Sequence, residues 1–433
     1  MIYFHHKENH ALMGNSQFTV HNSQLKKLLT VLLCSIILLS FPFPASANEA
    51  VEDGASPNPQ SETGPEYKPL PRPEIYSASG IVMDAKTGAI IFEKNIHDKR
   101  AMASTTKLMT ALLAIESGNP ERDVTITEDM MYWEAGTNEI GLKPGDTVSM
   151  HDLIIACLMY SANDAAQAIA VELGGSFEGF AGLMNKRALE IGMSNTNFVT
   201  PSGLSADEHY SSAYDMALLG IISAKTPGYL KYTSMARAVI SFGSPEKEEH
   251  PISTHNYLLE GQRRGYEGCD GLKTGYTSAA GSCFVSHVER NGVSLVCATL
   301  GASSTSGYLS DHTALYNYAL SRYKPVTVSP TLPSNNIPLV GGTVAKVPIS
   351  ASGSVSTVYV LDTLEDVFFE QVFIDSFAYA PVSKGEVVGY TRYLCGSIVV
   401  AEIPIQIDMD AGSASSDWLT AYGKKFKKMK SPA

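Results

Sequence analysis

The sequence predicts an α+β domain built on an antiparallel sheet, followed by a small all-β module. Three observations carry this. Short β-prone runs at 80–93 give way to a block of helical periodicity from about 104 to 223. Strands then return at 281–301 as a hairpin, and a helical pattern at 313–322 closes the unit. Beyond Lys324 the helical period is lost, and short Val/Ile/Phe-rich runs separated by Gly, Pro and Asp continue to Ile407. A chain of 433 residues, 44% hydrophobic and 18% charged, suffices for two globular domains with ample core. A net charge of −12 argues against a nucleic-acid partner, which needs a basic patch.

Each element follows in order. Lys26 and Lys27 precede the apolar run 28–43, and Ala45-Ser46-Ala47 supplies a small-x-small cleavage pattern. Residues 1–47 therefore read as a signal peptide, which places the mature chain outside the cytoplasm, at the cell wall or the outer face of the cytoplasmic membrane. The apolar run is too short to favour an anchor. Residues 48–74 hold six prolines and few large apolar side chains, a linker composition. The first folded domain spans 75–324. Runs 80–84 and 89–93 are joined by Ala85-Lys86-Thr87-Gly88, a hairpin turn. Leu108, Leu112 and Ile115 mark a core-facing helix that starts near Ser104 and ends at Gly118-Asn119-Pro120. A second helical region opens at Ser149 with Asp152 as its capping partner. It breaks around Ser161-Ala162-Asn163 and resumes from Asp164 to Gly174-Gly175. Helices at 177–191 and 214–223 follow, then strands at 281–289 and 293–301 around Arg290-Asn291-Gly292. The β-rich second domain covers 325–408, with strands expected at 343–349, 357–361 and 397–403.

The tail, 409–433, places Trp418, Tyr422, Phe426 and Met429 on one helical stripe beside Lys424, Lys425, Lys427, Lys428 and Lys430. That pattern suits peripheral contact with an anionic membrane. Five cysteines remain after processing, an odd set without a Cys-x-x-Cys pair, so a zinc site is not expected. Most read as small core residues, and a Cys283–Cys297 disulfide is compatible with export. No Gly-rich phosphate loop or metal-ligand cluster is evident, and neither a cofactor nor a metal is expected.

The chemistry lies in three short motifs. Ser104-Thr105-Thr106-Lys107 sets a hydroxyl and an amine one helical turn apart at a helix head. A serine needs a base to become nucleophilic, and a lysine whose pKa is lowered by burial supplies one. The alternative is a capping Ser beside a solvated Lys. Ser161-Ala162-Asn163, at the helical break, can point an amide and a hydroxyl into a cleft, or else merely cap the next helix. Lys273-Thr274-Gly275 puts a cation beside a glycine on a strand, where a substrate backbone and its carboxylate can approach. A second copy, Lys86-Thr87-Gly88, precedes the nucleophile and is explained by a turn.

The order Ser-x-x-Lys, Ser-x-Asn, Lys-Thr-Gly resembles that of the low-molecular-mass penicillin-binding proteins, specifically the D-alanyl-D-alanine carboxypeptidases. The resemblance spans about 75–405 and includes the stretches 103–110, 209–217 (His209 to Ala217) and 271–277. Residues 380–385 and 399–404 are similar to the β-rich second domain of that family. It implies a β-lactamase-like catalytic fold, an antiparallel sheet with a helical subdomain, then a small sandwich-like β domain. It implies Ser104 as acylated nucleophile, Lys107 as general base and Ser161 as proton-transfer partner. Asn163, Lys273, Thr274 and Gly275 would line the substrate, and the backbone N–H groups of Ser104 and Tyr276 would form the oxyanion hole. Where some members carry a strand Arg for the carboxylate, Ser294 is expected here. The implied partners are peptidoglycan stem peptides, and β-lactam antibiotics as covalent inhibitors. The competing readings are a β-lactamase, which lacks support because no Glu-x-x-x-Asn segment lies between Asn163 and Lys273, and a non-catalytic cell-wall scaffold.

Overall fold

A computed structural model describes residues 67–132, 137–351 and 356–414. The expected signal peptide, most of the linker and nearly all of the basic tail lie outside the described residues. Strands β1 (Ser79–Asp84) and β2 (Ile90–Lys94) pair antiparallel, as expected. Asp84 Oδ1 accepts the backbone N–H groups of Lys86 and Thr87 at 2.7 and 2.8 Å, and Gly88 takes φ +74°. The first Lys-Thr-Gly is thus a turn. Next, a 3-10 turn, Ala103–Thr106, runs directly into α1 (Lys107–Glu116).

The helical block follows β3 (Asp123–Thr125) and β4 (Thr147–Ser149). It begins with α2 (Met150–Ile155), where Ser149 Oγ accepts the Asp152 N–H at 3.0 Å as the capping pattern requires. A π-turn, Ala156–Tyr160, interrupts the block before α3 (Asn163–Gly174), α4 (Phe177–Ile191), α5 (Ala213–Lys225) and the short α6 (Tyr229–Thr233). β5 (Arg237–Gly243) and β6 (Glu248–Ser253) then complete a four-stranded sheet ordered β3-β4-β5-β6. Periodicity does not reveal this hairpin, because its second strand, Glu-Glu-His-Pro-Ile-Ser, buries only Ile252.

β7 (Cys269–Thr277), β8 (Gly281–Arg290) and β9 (Val293–Ala302) finish the central antiparallel sheet, ordered β2-β1-β9-β8-β7. The turn between β8 and β9 holds Asn291 and Gly292 at φ +53° and +75°, as Asn-Gly turns of this kind require. Alternate side chains feed two core layers. Ile81, Val285, Val296 and Ala298 pack with the helical block, whereas Val82, Phe284, Leu295 and Cys297 pack beneath α7 (Thr305–Ser321). Helix α7 begins well before the expected Thr313. Ser304 caps it by accepting the Gly307 N–H at 3.1 Å, and the weak helix formers Thr305, Ser306 and Gly307 hide that start.

All five described cysteines are free thiols, all of them buried. Cys283 belongs to the first core layer and Cys297 to the second, on opposite faces of the sheet, so the disulfide considered from sequence does not form.

The C-terminal strands are β10 (Tyr323–Val328), β11 (Asn336–Val340), β12 (Lys346–Ala351), β13 (Ser356–Leu361), β14 (Phe368–Ile374), β15 (Ala378–Tyr379), β16 (Val387–Cys395) and β17 (Ile398–Ile407). They form a six-stranded sheet, β14-β16-β17-β12-β11-β15, and a β10-β13 pair. Two small apolar cores, one around Val347 and Ile405 and one around Val358 and Tyr393, hold them together. Tyr323 OH donates to Asp84, Arg322 pairs with Asp362, and Lys86 Nζ donates to Val400 O at 3.3 Å. The β module is thereby joined to the central sheet, remote from β7 in sheet order. Among the described residues no helix is long and apolar enough to cross a membrane.

Candidate active site

The 3-10 turn determines the geometry of the first motif. In such a turn residues i and i+3 eclipse, so Ser104 and Lys107 face one another more directly than in an α-helix. Lys107 Nζ lies 2.9 Å from Ser104 Oγ, 2.6 Å from Asn163 Oδ1 and 2.8 Å from Ser202 O. The side chain is fully buried. A neutral amine has two N–H donors and one lone pair. The carbonyl oxygens of Asn163 and Ser202 can only accept, so they take the two donors, and the lone pair is left for the Ser104 hydroxyl proton. Burial lowers the Lys107 pKa to about 8, with Cys157 and Asp164 pulling weakly the other way. A solvated surface lysine is thereby ruled out.

The second motif is delivered by a distorted helix. After the π-turn, Ser161 adopts a left-handed conformation, φ +67°, and Ala162 N donates to Ala156 O at 3.0 Å. Strained backbone of this kind concentrates at functional sites. The capping alternative fails, because the cap of α3 is Ala162 and carries no side-chain hydrogen bond. Asn163 is therefore free to turn its amide to Lys107. Behind it Asp164 accepts the N–H groups of Ile140, Gly141 and Leu142, at 3.2, 2.8 and 3.1 Å, which fixes the start of α3. Ser161 Oγ makes no hydrogen bond to Ser104 or Lys107.

The third motif lies on β7, the edge of the central sheet, against the 3-10 turn. A Cβ on Gly275 would come within 2.7 Å of Ser104 N and 2.9 Å of Thr105 N, so only glycine lets the strand approach this closely. The next residue, Tyr276, is exposed, and its backbone N–H follows directly along the strand from this contact. Lys273 is 1% exposed and donates to Thr274 O at 2.8 Å. Burial, and secondly the charge of Lys107, bring its pKa down to about 7, against a weaker pull from Cys157. Two buried cations thus compete within one site.

Ser294 does not fall at the carboxylate wall. Opposite Lys273 the register runs through Val285 to Ala298, whereas Ser294 pairs with Glu289 near the hairpin end. Its Oγ lies 2.8 Å from His287 Nε2, and His287 Nδ1 lies 2.7 Å from Asp270. Three residues near the site carry no role in the sequence reading. The Ser202 carbonyl anchors Lys107. His209, within the stretch 209–217, hydrogen-bonds Thr106 (2.9 Å). His255 packs against Tyr160 with ring centroids 5.2 Å apart and planes tilted by 45°, and its pKa is lowered by burial and by Lys273.

A buried lysine of lowered pKa facing a serine, with a Lys-Thr-Gly edge strand closing on the serine backbone, defines a serine-type acyl-transfer hydrolase on an α+β fold. The family model described as D-alanyl-D-alanine carboxypeptidase matches residues 66–304. The chain belongs to this family of serine-type peptidases. It is 29% identical over 404 residues to the D-alanyl-D-alanine carboxypeptidase DacF of Bacillus subtilis, covering 90% of this chain and 96% of that protein. The crystal structure of the D-alanyl-D-alanine carboxypeptidase DacD from Francisella tularensis superposes with a TM-score of 0.56 at 26% identity. That match covers 82% of this chain and 98% of that one. Penicillin-binding protein D2 from Listeria monocytogenes, solved in an ampicillin-bound form, matches with a TM-score of 0.50 at 28% identity, covering 57% of this chain and 99% of that one.

Proposed function

We propose that this carboxypeptidase works through an acyl-enzyme on Ser104 and removes the terminal D-Ala of peptidoglycan stem pentapeptides. The observation that carries this is the saturated hydrogen bonding of Lys107, which leaves its lone pair only the Ser104 hydroxyl. Lys273 and Thr274 hold the terminal carboxylate. The scissile carbonyl oxygen sits between the N–H groups of Ser104 and Tyr276, where donors aimed at the developing charge stabilise the tetrahedral intermediate. Lys107 takes the Ser104 proton as Oγ bonds to the carbonyl carbon. The C–N bond then breaks, and the departing amine of D-Ala receives that proton with Ser161 as relay. A water, deprotonated by the same base, cleaves the ester and restores Ser104. Asn163 both orients Lys107 and lines the peptide. β-Lactams enter the same route as substrate mimics. The signal-peptide pattern of residues 1–47 supports an extracytoplasmic enzyme, and the aromatic and lysine stripe of 418–430 supports peripheral contact with an anionic membrane.

The test is to label the protein with a fluorescent penicillin, map the adduct by peptide mass, and assay D-Ala release from a diacetylated Lys-D-Ala-D-Ala peptide. An adduct on the Ser104 peptide together with D-Ala release is the expected result. Fast β-lactam turnover without D-Ala release would establish a β-lactamase instead, and no adduct would leave a scaffold. Gly275→Ala is expected to slow labelling by about 100-fold, because the new methyl pushes β7 off the nucleophile turn. Labelling at the wild-type rate would show that the strand does not set the oxyanion site.

A further inference from the structure

His209 stands behind the dyad, not in it. It is buried, and both its ring nitrogens are engaged. Nδ1 lies 2.9 Å from Val199 N and 3.3 Å from Thr200 N. Backbone N–H groups can only donate, so Nδ1 accepts and the ring proton sits on Nε2. Nε2–H then donates to Thr106 Oγ1 at 2.9 Å, and Thr106 Oγ1–H passes the chain on to Ala103 O at 2.8 Å. Burial lowers the ring pKa to about 4, which keeps this neutral tautomer in place.

The two backbone segments joined by this ring are the ones that hold the dyad. On one side is the 3-10 turn, where Ala103, at φ +48°, precedes Ser104. On the other is the loop 199–204, whose Ser202 carbonyl fixes one N–H of Lys107. The segments touch backbone to backbone. A Cβ on Gly203, itself at φ +85°, would fall 1.9 Å from Ala103 O, and Thr110 Oγ1 donates to Pro201 O at 2.6 Å. A shift of the loop relative to the turn moves the Ser202 carbonyl and swings the Lys107 lone pair off Ser104 Oγ.

We infer that His209 is a positioning residue for acylation: through Thr106 on one side and Val199 and Thr200 on the other, it locks the Ser202 carbonyl to the nucleophile turn. This rests on the reading of Ser104 and Lys107 as the acylating pair. The role is one of aim: the His209 ring touches neither substrate nor Ser104.

The test uses the full chain and benzylpenicillin, with the concentration dependence of acylation separating the binding constant from the chemical rate. His209→Asn keeps the acceptor near Nδ1 and loses the donor to Thr106. Thr106→Val keeps the ring and removes the bridging hydroxyl at nearly constant volume. Each is expected to slow the chemical step by about 10- to 100-fold while the binding constant stays within about twofold. His209→Gln, which can still donate to Thr106, is expected to recover part of that loss. If Thr106→Val and His209→Asn acylate at the wild-type chemical rate, with only a lower melting temperature or a smaller active fraction, the ring is a packing element and the inference is wrong. Should His209→Asn fail to fold, Thr106→Val decides alone. If the wild-type protein forms no adduct on Ser104, it is the dyad reading that fails.

Discussion

Ser104→Ala, Lys107→Met and the double variant are expected to lose D-Ala release to the same residual level, a fall of at least about 10,000-fold in kcat. The equality matters more than the size. A nucleophile and its base act as a unit, so removing either should cost nearly as much as removing both. Lys107 sits at the centre of three contacts, and Met fills nearly the same volume without a lone pair. The variant should keep its fold, since the pocket trades a buried amine for an apolar chain. Two acceptors, Asn163 Oδ1 and Ser202 O, lose a donor, at a cost of about 1–3 kcal/mol each. Against this, the native protein already bears the cost of burying an amine whose pKa falls from 10.5 to about 8, about 3 kcal/mol below pH 8. The melting temperature should therefore move little while labelling disappears. The measurements are D-Ala release and fluorescent-penicillin labelling over hours, beside a thermal melt. A Lys107→Met protein that labels within tenfold of wild type would assign the base elsewhere.

What the sequence makes legible here is local. Ser104 and Lys107 are three residues apart, so the spacing and the helix head are enough to set them face to face. The Asn291-Gly292 turn and the Ser149 cap are legible for the same reason. The three motifs meet because the fold brings α3 and the edge strand β7 to the 3-10 turn, which no local pattern states. Only the likeness to a known family links them in advance. The partners of Lys107 divide along this line. Asn163 carries a motif, but the Ser202 acceptor is a backbone carbonyl and leaves no mark in residue type. His209 is visible as a residue within a stretch shared with the family, yet its task depends on Val199 and Thr106 meeting across the fold. Ser294 misleads for the opposite reason. The likeness to the family alone points to that strand position, whereas the register of β9 carries the residue toward the hairpin end, into contact with His287.

The pH profile of kcat/KM for a D-Ala-D-Ala peptide is expected to be a narrow bell with its maximum between about 7 and about 8. Lys107 must be neutral to accept the Ser104 proton, which favours pH above about 8. Lys273 must be charged to hold the carboxylate, which favours pH below about 7. The two amines repel one another, so the limbs belong to the pair and not to either residue. Substrate resolves the competition. Its carboxylate stabilises the charged form of Lys273, and the nearby cation in turn favours the neutral form of Lys107. Lys273→Arg separates these roles. Arginine does not lose its proton in this range, so the alkaline limb should vanish and leave a single rise governed by Lys107. The stability consequence has a definite sign. Lys273 has a folded pKa depressed to about 7 from 10.5, so the unfolded chain binds more protons between those values and stability rises with pH across them. Lys273→Met removes that burden and loses one hydrogen bond to Thr274 O. It should be more stable than wild type by about 2–4 kcal/mol at pH 6. The difference should shrink steadily toward pH 10, while D-Ala release is lost throughout. Denaturant melts at pH 6 and pH 10 measure this directly. A Lys273→Met protein less stable at pH 6 than at pH 10 relative to wild type, or a Lys273→Arg enzyme that keeps its alkaline limb, would show that Lys273 is not the buried cation that receives the substrate carboxylate.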